Sequence, residues 1–155
     1  MDPEKPRPLP GAVLFACNLN RVRSPMAEAL LKRQVGDRIY VDSCGLEGDR
    51  SDEPDPLAAA VMAEVGCELA GHRSKAFEAL EDDSFDLVIT LTPEAHQRAV
   101  ELARGRSVEV EYWPTPDPTL TEGSRETRLA AYREVRDGLA RRIAGRFGAA
   151  RAARR

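Results

Sequence analysis

Val13-Leu14-Phe15-Ala16-Cys17-Asn18-Leu19-Asn20-Arg21-Val22-Arg23-Ser24-Pro25-Met26-Ala27-Glu28-Ala29-Leu30-Leu31 holds an apolar run, a polar loop and an amphipathic start in direct succession. Ala12 to Ala16 is short and apolar enough for a buried strand ending at Cys17. Ser24 and Pro25 read as a helix N-cap and first helical residue. Met26, Ala27, Leu30 and Leu31 give that helix an apolar face. Strand, loop and helix N-terminus in this order make a cradle for an anion. Successive backbone N–H groups converge on it and the helix dipole reinforces them.

The rest of the chain continues the alternation. Strands are expected at Ile39–Ser43, Leu87–Leu91 and Val108–Tyr112. Helices are expected at Pro56–Gly66, from Thr92-Pro93-Glu94 to about Ala103, and as a short piece at Lys75–Leu80. Leu129, Tyr132, Val135, Leu139, Ile143 and Phe147 recur at three- and four-residue spacing, the stripe of one long helix. Alternating strands and helices imply an α/β fold, a parallel sheet covered on both faces, with ligands at the carboxyl ends of the strands. Cys17 stands at such an end.

At 155 residues the chain is the size of one domain. Residues 1–10 read as an extended proline-rich arm, 11–147 as the domain and 148–155 as a basic, low-complexity tail. The longest apolar run, Leu57 to Ala63, is far short of the ~20 residues of a membrane span, and the acidic start resembles no signal peptide. A cytoplasmic protein with no membrane partner is expected. Residues 1–123 carry 13 Lys+Arg against 23 Asp+Glu, a net of −10, and residues 124–155 carry 10 against 3, a net of +7. A body that acidic would be repelled by nucleic acid. The basic end suits a helix C-terminus, where cations meet the macrodipole favourably. Oligomeric state is left open.

All three cysteines have Arg six and Ser seven residues on: Cys17 with Arg23 and Ser24, Cys44 with Arg50 and Ser51, Cys67 with Arg73 and Ser74. Spacing therefore does not choose between them, but loop chemistry does. The Cys44 loop carries Glu47 and Asp49, and Cys67 follows a helix with Glu68 beside it; both read as small apolar residues of the interior. The Cys17 loop is acid-free. Backbone N–H groups of Asn18, Leu19, Asn20, Arg21 and Val22 would line its anion site, and Arg23 has the planar fork that grips two phosphate oxygens. That field and the Ser24 hydroxyl favour a Cys17 thiolate, a nucleophile. Two histidines and three scattered cysteines fit no zinc spacing, so no metal or other cofactor is expected. A leaving oxygen needs an acid. Asp117, on the loop after the fourth strand, is a candidate, and is equally an ordinary Asp-Pro turn.

From Val13 to about Phe147 the sequence resembles the low-molecular-weight protein tyrosine phosphatases and the related thioredoxin-coupled arsenate reductases. The resemblance rests on the 13–31 stretch, Asp42-Ser43-Cys44-Gly45, Gly71-His72-Arg73-Ser74, Asp86-Leu87-Val88-Ile89-Thr90-Leu91 and Asp117-Pro118. It implies a three-layer sandwich with a four-stranded parallel sheet of flavodoxin-like topology. It implies Cys17 as the nucleophile of a phosphocysteine intermediate, Arg23 as phosphate clamp, Ser24 as thiolate stabiliser and Asp117 as general acid. Asn20, Ser43 and His72 match the polar trio that holds the loop. The implied partners are a phosphorylated protein or a small phosphomonoester, with inorganic phosphate as product and inhibitor.

The chain departs from the pattern at several places. Leu19 stands where the family usually has Gly, which puts the unusual backbone on Asn20, a residue that tolerates the left-handed region. Val22 replaces a second cysteine. Thr119-Leu120 replaces an aromatic pair, and no aromatic lies between Leu46 and Asp55. An arsenate reductase is the alternative, since arsenate mimics phosphate, but its relay thiols would fall at Thr92 and near Ala99, and reduction needs such thiols. A non-catalytic anion-binding module is the other, although it would use neither thiolate nor acid.

Overall fold

The computed structural model describes residues 9–48, 53–80 and 84–152. Four strands, β1 (Ala12–Cys17), β2 (Tyr40–Gly45), β3 (Leu87–Thr90) and β4 (Glu109–Tyr112), form one parallel sheet in the order β2-β1-β3-β4. Four helices connect and follow them: α1 (Arg23–Val35), α2 (Pro56–Ala63), α3 (Pro93–Ala103) and α4 (Arg125–Ala152). Alternate residues of β1 feed two cores, as strand periodicity requires. Val13, Phe15 and Cys17 pack with Met26, Leu31, Leu139, Ile143 and Phe147 of α1 and α4. Leu14 and Ala16 pack with Cys44, Val88, Ala95 and Ala99 on the α3 side. The expected three-layer α/β sandwich is the observed one. No described helix is long and apolar enough to cross a membrane.

Four local readings change. Ser24 is not the N-cap of α1: the cap is Val22, without a side-chain bond, and the Ser24 hydroxyl is turned into the 17–23 loop. The Lys75–Leu80 piece is only a single tight turn at Phe77–Ala79, because the backbone before it is drawn to β2. Gly45 N–H donates to the Lys75 carbonyl at 2.8 Å, and Gly45 and Ala76 form a parallel bridge. α2 is regular to Ala63 and closes in a Schellman turn. Cys67 N–H reaches the Met62 carbonyl, Gly66 N–H the Ala63 carbonyl, and Gly66 takes φ +78°. α4 runs past Phe147 to Ala152, in keeping with the helix propensity of an Ala/Arg stretch. Of the expected arm, residues 1–8 lie outside the described residues, as do 153–155 of the tail.

Ion pairs fasten α4 to its neighbours. Arg146 donates from Nε to Glu111 Oε2 at 2.9 Å and lies 3.7 Å from Glu109, both on β4. Glu64, in the closing turn of α2, accepts from Arg133 Nε and Nη2 and from Arg136 Nη1. Those hydrogen bonds, Arg133 first, pull its carboxyl down from 4.5 to about 2. A depressed carboxyl pKa contributes stability that is present above pH 4.5 and lost as pH falls towards 2. Glu64→Gln is therefore expected to melt below the wild type at pH 7, with the gap closing over that acid window. Thermal melts at several pH values check this, and a gap independent of pH contradicts it.

Candidate active site

The 17–23 loop is shaped by where its carbonyls go. Across a planar trans peptide, C=O and the following N–H point in opposite directions. The Cys17 carbonyl accepts from Leu46 N–H and the Asn18 carbonyl from Glu47 N–H, both at 3.1 Å. The Asn20 carbonyl accepts from His72 Nε2 at 2.9 Å and Ser74 Oγ at 2.7 Å. Three carbonyls drawn outward leave the N–H groups of Asn18, Leu19 and Arg21 facing the concave side, above the N-terminus of α1. The arrangement can seat a tetrahedral oxyanion.

Asn20 is the keystone. It is fully buried and, at φ +55°, the only non-glycine among the described residues with positive φ. Its Nδ2 donates to Ser24 Oγ at 2.8 Å and Ser43 Oγ at 2.9 Å, and its Oδ1 accepts from Lys75 N–H at 3.0 Å. Ser43 Oγ in turn donates to Glu28. These bonds hold a conformation that costs about 1 kcal/mol or more for a side chain other than Gly. The structure thus brings Asn20, Ser43 and His72 together behind the loop.

Cys17 Sγ sits at the floor, 3% exposed and 2.9 Å from Ser24 Oγ. With Cys17 as thiolate, Ser24 is the donor, and the Asn20 amide donating into the same oxygen leaves its proton free to point at sulfur. Arg23 Nη1 donates to the Thr115 carbonyl at 2.9 Å and its Nη2 lies 3.9 Å from Asp117 Oδ2. Asp117 Oδ1 meanwhile accepts from Thr119 N–H and Thr119 Oγ1. One Asp117 oxygen caps the Asp-Pro turn, and the other lies towards Arg23 of the loop. Leu19 is exposed on the rim, Val22 is buried beneath it, and Arg21 Nη1 lies 3.8 Å from Asp55 Oδ2.

The other cysteines are interior residues. Cys44 pairs in register with Ala16 and packs on the sheet face opposite Cys17. Burial, and then the neighbouring Cys17 and Asp42, push its thiol far up. Cys67 is buried in the turn after α2. Thr92 caps α3 and Ala99 is buried within it, so neither supplies a thiol. No group of three or more metal-ligating side chains occurs among the described residues.

Several supporting residues escaped the sequence reading. Asp55 had a visible signal, an acid directly before the Pro that opens α2. Its Oδ1 accepts from Leu57 and Ala58 N–H, while Oδ2 accepts from Tyr132 OH at 3.3 Å. Burial, then Asp55, pushes the Tyr132 hydroxyl up to about 12, so it stays a donor. Ser74, Glu28 and the backbone of Lys75 had no signal, because what they do is decided by tertiary approach. Gly45 was visible as the end of the Asp42–Gly45 stretch, but not the reason for it: a Cβ there would lie 2.7 Å from the Asn18 carbonyl oxygen and 2.8 Å from Asn20 N.

Residues 12–149 match the family described as low molecular weight phosphotyrosine protein phosphatase. Among curated proteins, the chain is 33% identical over 131 residues to an arsenate reductase of Halalkalibacterium halodurans, covering 84% of this chain and 91% of that one. It is also 33% identical over 127 residues to the low molecular weight protein-tyrosine-phosphatase Wzb of Escherichia coli K12, covering 77% and 84%. Among solved structures, the Erwinia amylovora tyrosine phosphatase AmsI superposes with a TM-score of 0.75 at 20% identity, covering 91% of this chain and 93% of that one, which shows the same fold. The chain belongs to the low molecular weight phosphotyrosine protein phosphatase family.

Proposed function

We propose that the protein is a phosphomonoester hydrolase that works through a cysteinyl-phosphate. The observation that carries this reading is the convergence of three roles at one loop: Cys17 at its floor, Arg23 beside it, and Asp117 Oδ2 3.9 Å from that guanidinium. In the first step Cys17 Sγ attacks phosphorus, the S–P bond forms, and the ester P–O bond breaks as Asp117 protonates the leaving oxygen. In the second, water attacks phosphorus and gives its proton to Asp117. The S–P bond breaks, and Ser24 receives the returning thiolate. Loop N–H groups and Arg23 hold the equatorial oxygens throughout. A thiolate nucleophile needs no metal, and its reduced state suits the cytoplasm.

Relatives named arsenate reductases favour a second reading. The same cradle takes arsenate, but regenerating Cys17 by thiol exchange needs a partner thiol. Cys44 faces away, and Thr92 and Ala99 replace the relay positions. Turnover of p-nitrophenyl phosphate in EDTA tests the first reading; its absence ends that reading. Sustained NADPH consumption with arsenate, thioredoxin and thioredoxin reductase, dependent on Cys44 or Cys67, would establish the second.

The acid role predicts a leaving-group signature. Asp117→Asn is expected to lower kcat/KM, which reports the step that expels the leaving group, by about 10²–10³-fold for alkyl phosphates and by only about tenfold for p-nitrophenyl phosphate, since nitrophenolate departs without a proton. Equal losses across a leaving-group series remove Asp117 from that role. Substrate choice rests on a rim with exposed Leu19 and Leu120 in place of aromatic walls, which fits apolar or alkyl groups beside the phosphate as well as aryl ones.

A further inference from the structure

Every side-chain anchor of Asn20 comes from one flank of β1: Ser43 on β2, the 72–75 segment bridged to β2, and Ser24 on α1. The opposite flank, beyond β3, meets the loop through Asn18. Thr92 Oγ1 donates to Asn18 Oδ1 at 2.7 Å, and Asn18 Nδ2 donates to Glu94 Oε1 at 3.3 Å. Thr92 is also the N-cap of α3, its hydroxyl oxygen accepting from Ala95 N–H at 3.1 Å. One hydroxyl therefore closes a helix and holds the loop at the same time. Asn18 is held on the β2 side as well, by its carbonyl on Glu47 N–H. It is stitched to both neighbouring strands' loops.

We propose that Asn18, Thr92 and Glu94 form a clasp that aims the first two amides of the cradle, those of Asn18 and Leu19, at the bound oxyanion. Both amides lie in peptides whose planes pass through the Asn18 backbone. A side chain fixed by two bonds limits rotation of those planes, and the N–H groups stay preorganised for charge on the phosphoryl oxygens. Asn18 and Thr92 act here as positioning residues. The proposal rests on the reading of this loop as the phosphoryl-transfer site, but it concerns anion seating and can be tested without turnover.

The probe is inorganic phosphate, titrated by calorimetry into wild type, Asn18→Leu, Thr92→Ser, Thr92→Val and the Asn18→Leu/Thr92→Val double variant. Asn18→Leu removes the clasp and leaves the α3 cap intact. It is expected to weaken phosphate binding about fivefold to tenfold and to lower kcat by a similar factor, with Tm within about 2 °C of wild type. Thr92→Ser keeps both bonds and should bind within about twofold of wild type. Thr92→Val loses the cap and one clasp bond, so its Tm drops, and the double variant should bind no more weakly than Asn18→Leu alone, because that change already removes both clasp bonds. Phosphate affinity unchanged in Asn18→Leu, or multiplicative losses in the double variant, would overturn the clasp. Wild type that binds phosphate without hydrolysing esters would sink the phosphatase reading and leave the clasp standing.

Discussion

Cys17→Ser is expected to lower p-nitrophenyl phosphate turnover by about four orders of magnitude or more while phosphate still binds within a few-fold of wild type. The two halves of this result have separate causes. A serine hydroxyl at neutral pH holds its proton and is a poor nucleophile without an adjacent base. The floor of the cradle offers only Ser24 Oγ at 2.9 Å, a hydroxyl that donates and is no base. Binding, by contrast, is the work of the loop amides and Arg23, which Cys17→Ser leaves in place. Their positions are set by bonds to Leu46, Glu47, His72 and Ser74. Steady-state rates and a phosphate titration on one preparation check both halves. Turnover above about 1% of wild type contradicts the cysteinyl-phosphate.

Gly45→Ala is expected to be the next most damaging change, at about 10²-fold in rate, although Gly45 touches no substrate. The added Cβ meets three backbone atoms: Asn18 O at 2.7 Å, Asn20 N at 2.8 Å and Glu47 O at 2.9 Å. Backbone does not yield like the end of a flexible side chain, so the loop itself must shift by roughly 0.5–1 Å to reach normal contact distance. A displacement of that size at a reacting centre costs on the order of 10²-fold in rate. The overpacking should also destabilise by about 1–3 kcal/mol. Activity and denaturant unfolding of the variant check the pair of effects. Near-normal kcat would mean the back of the cradle is softer than its hydrogen bonds suggest.

The sheet, its order of elements and the 17–23 loop were legible because each has a local cause. A short apolar run ends at Cys17, a three-and-four stripe marks α4, and an acid-free stretch separates one Cys-x5-Arg from two others. Asn20 as the residue with the unusual backbone was legible too, since its neighbour Leu19 cannot take that conformation. Ser24 was misread in one respect. Ser before Pro is a genuine cap signal, yet α1 starts at Arg23, one residue before Ser24, and the Ser24 oxygen that would accept a helix N–H accepts from the Asn20 amide instead. The Lys75 segment was misread for a deeper reason: it contributes backbone carbonyl and amide, which are the same for every residue and leave no trace in composition. Asp55 and Gly45 lie between. The first had a local signal that went unused, while the second is needed only because two loops approach within contact of it.

An open parallel sheet has two outer strands whose free backbone invites pairing with another chain. The β4 side is guarded. It is only four residues long, and its glutamates at 109 and 111 are engaged by Arg146 of α4. A second copy adding a strand there would bring like charges together and break those pairs. Self-association by edge-to-edge growth is therefore blocked on one side by design of the strand itself. Crowded solutions should accordingly not drive the protein into strand-extended polymers through β4.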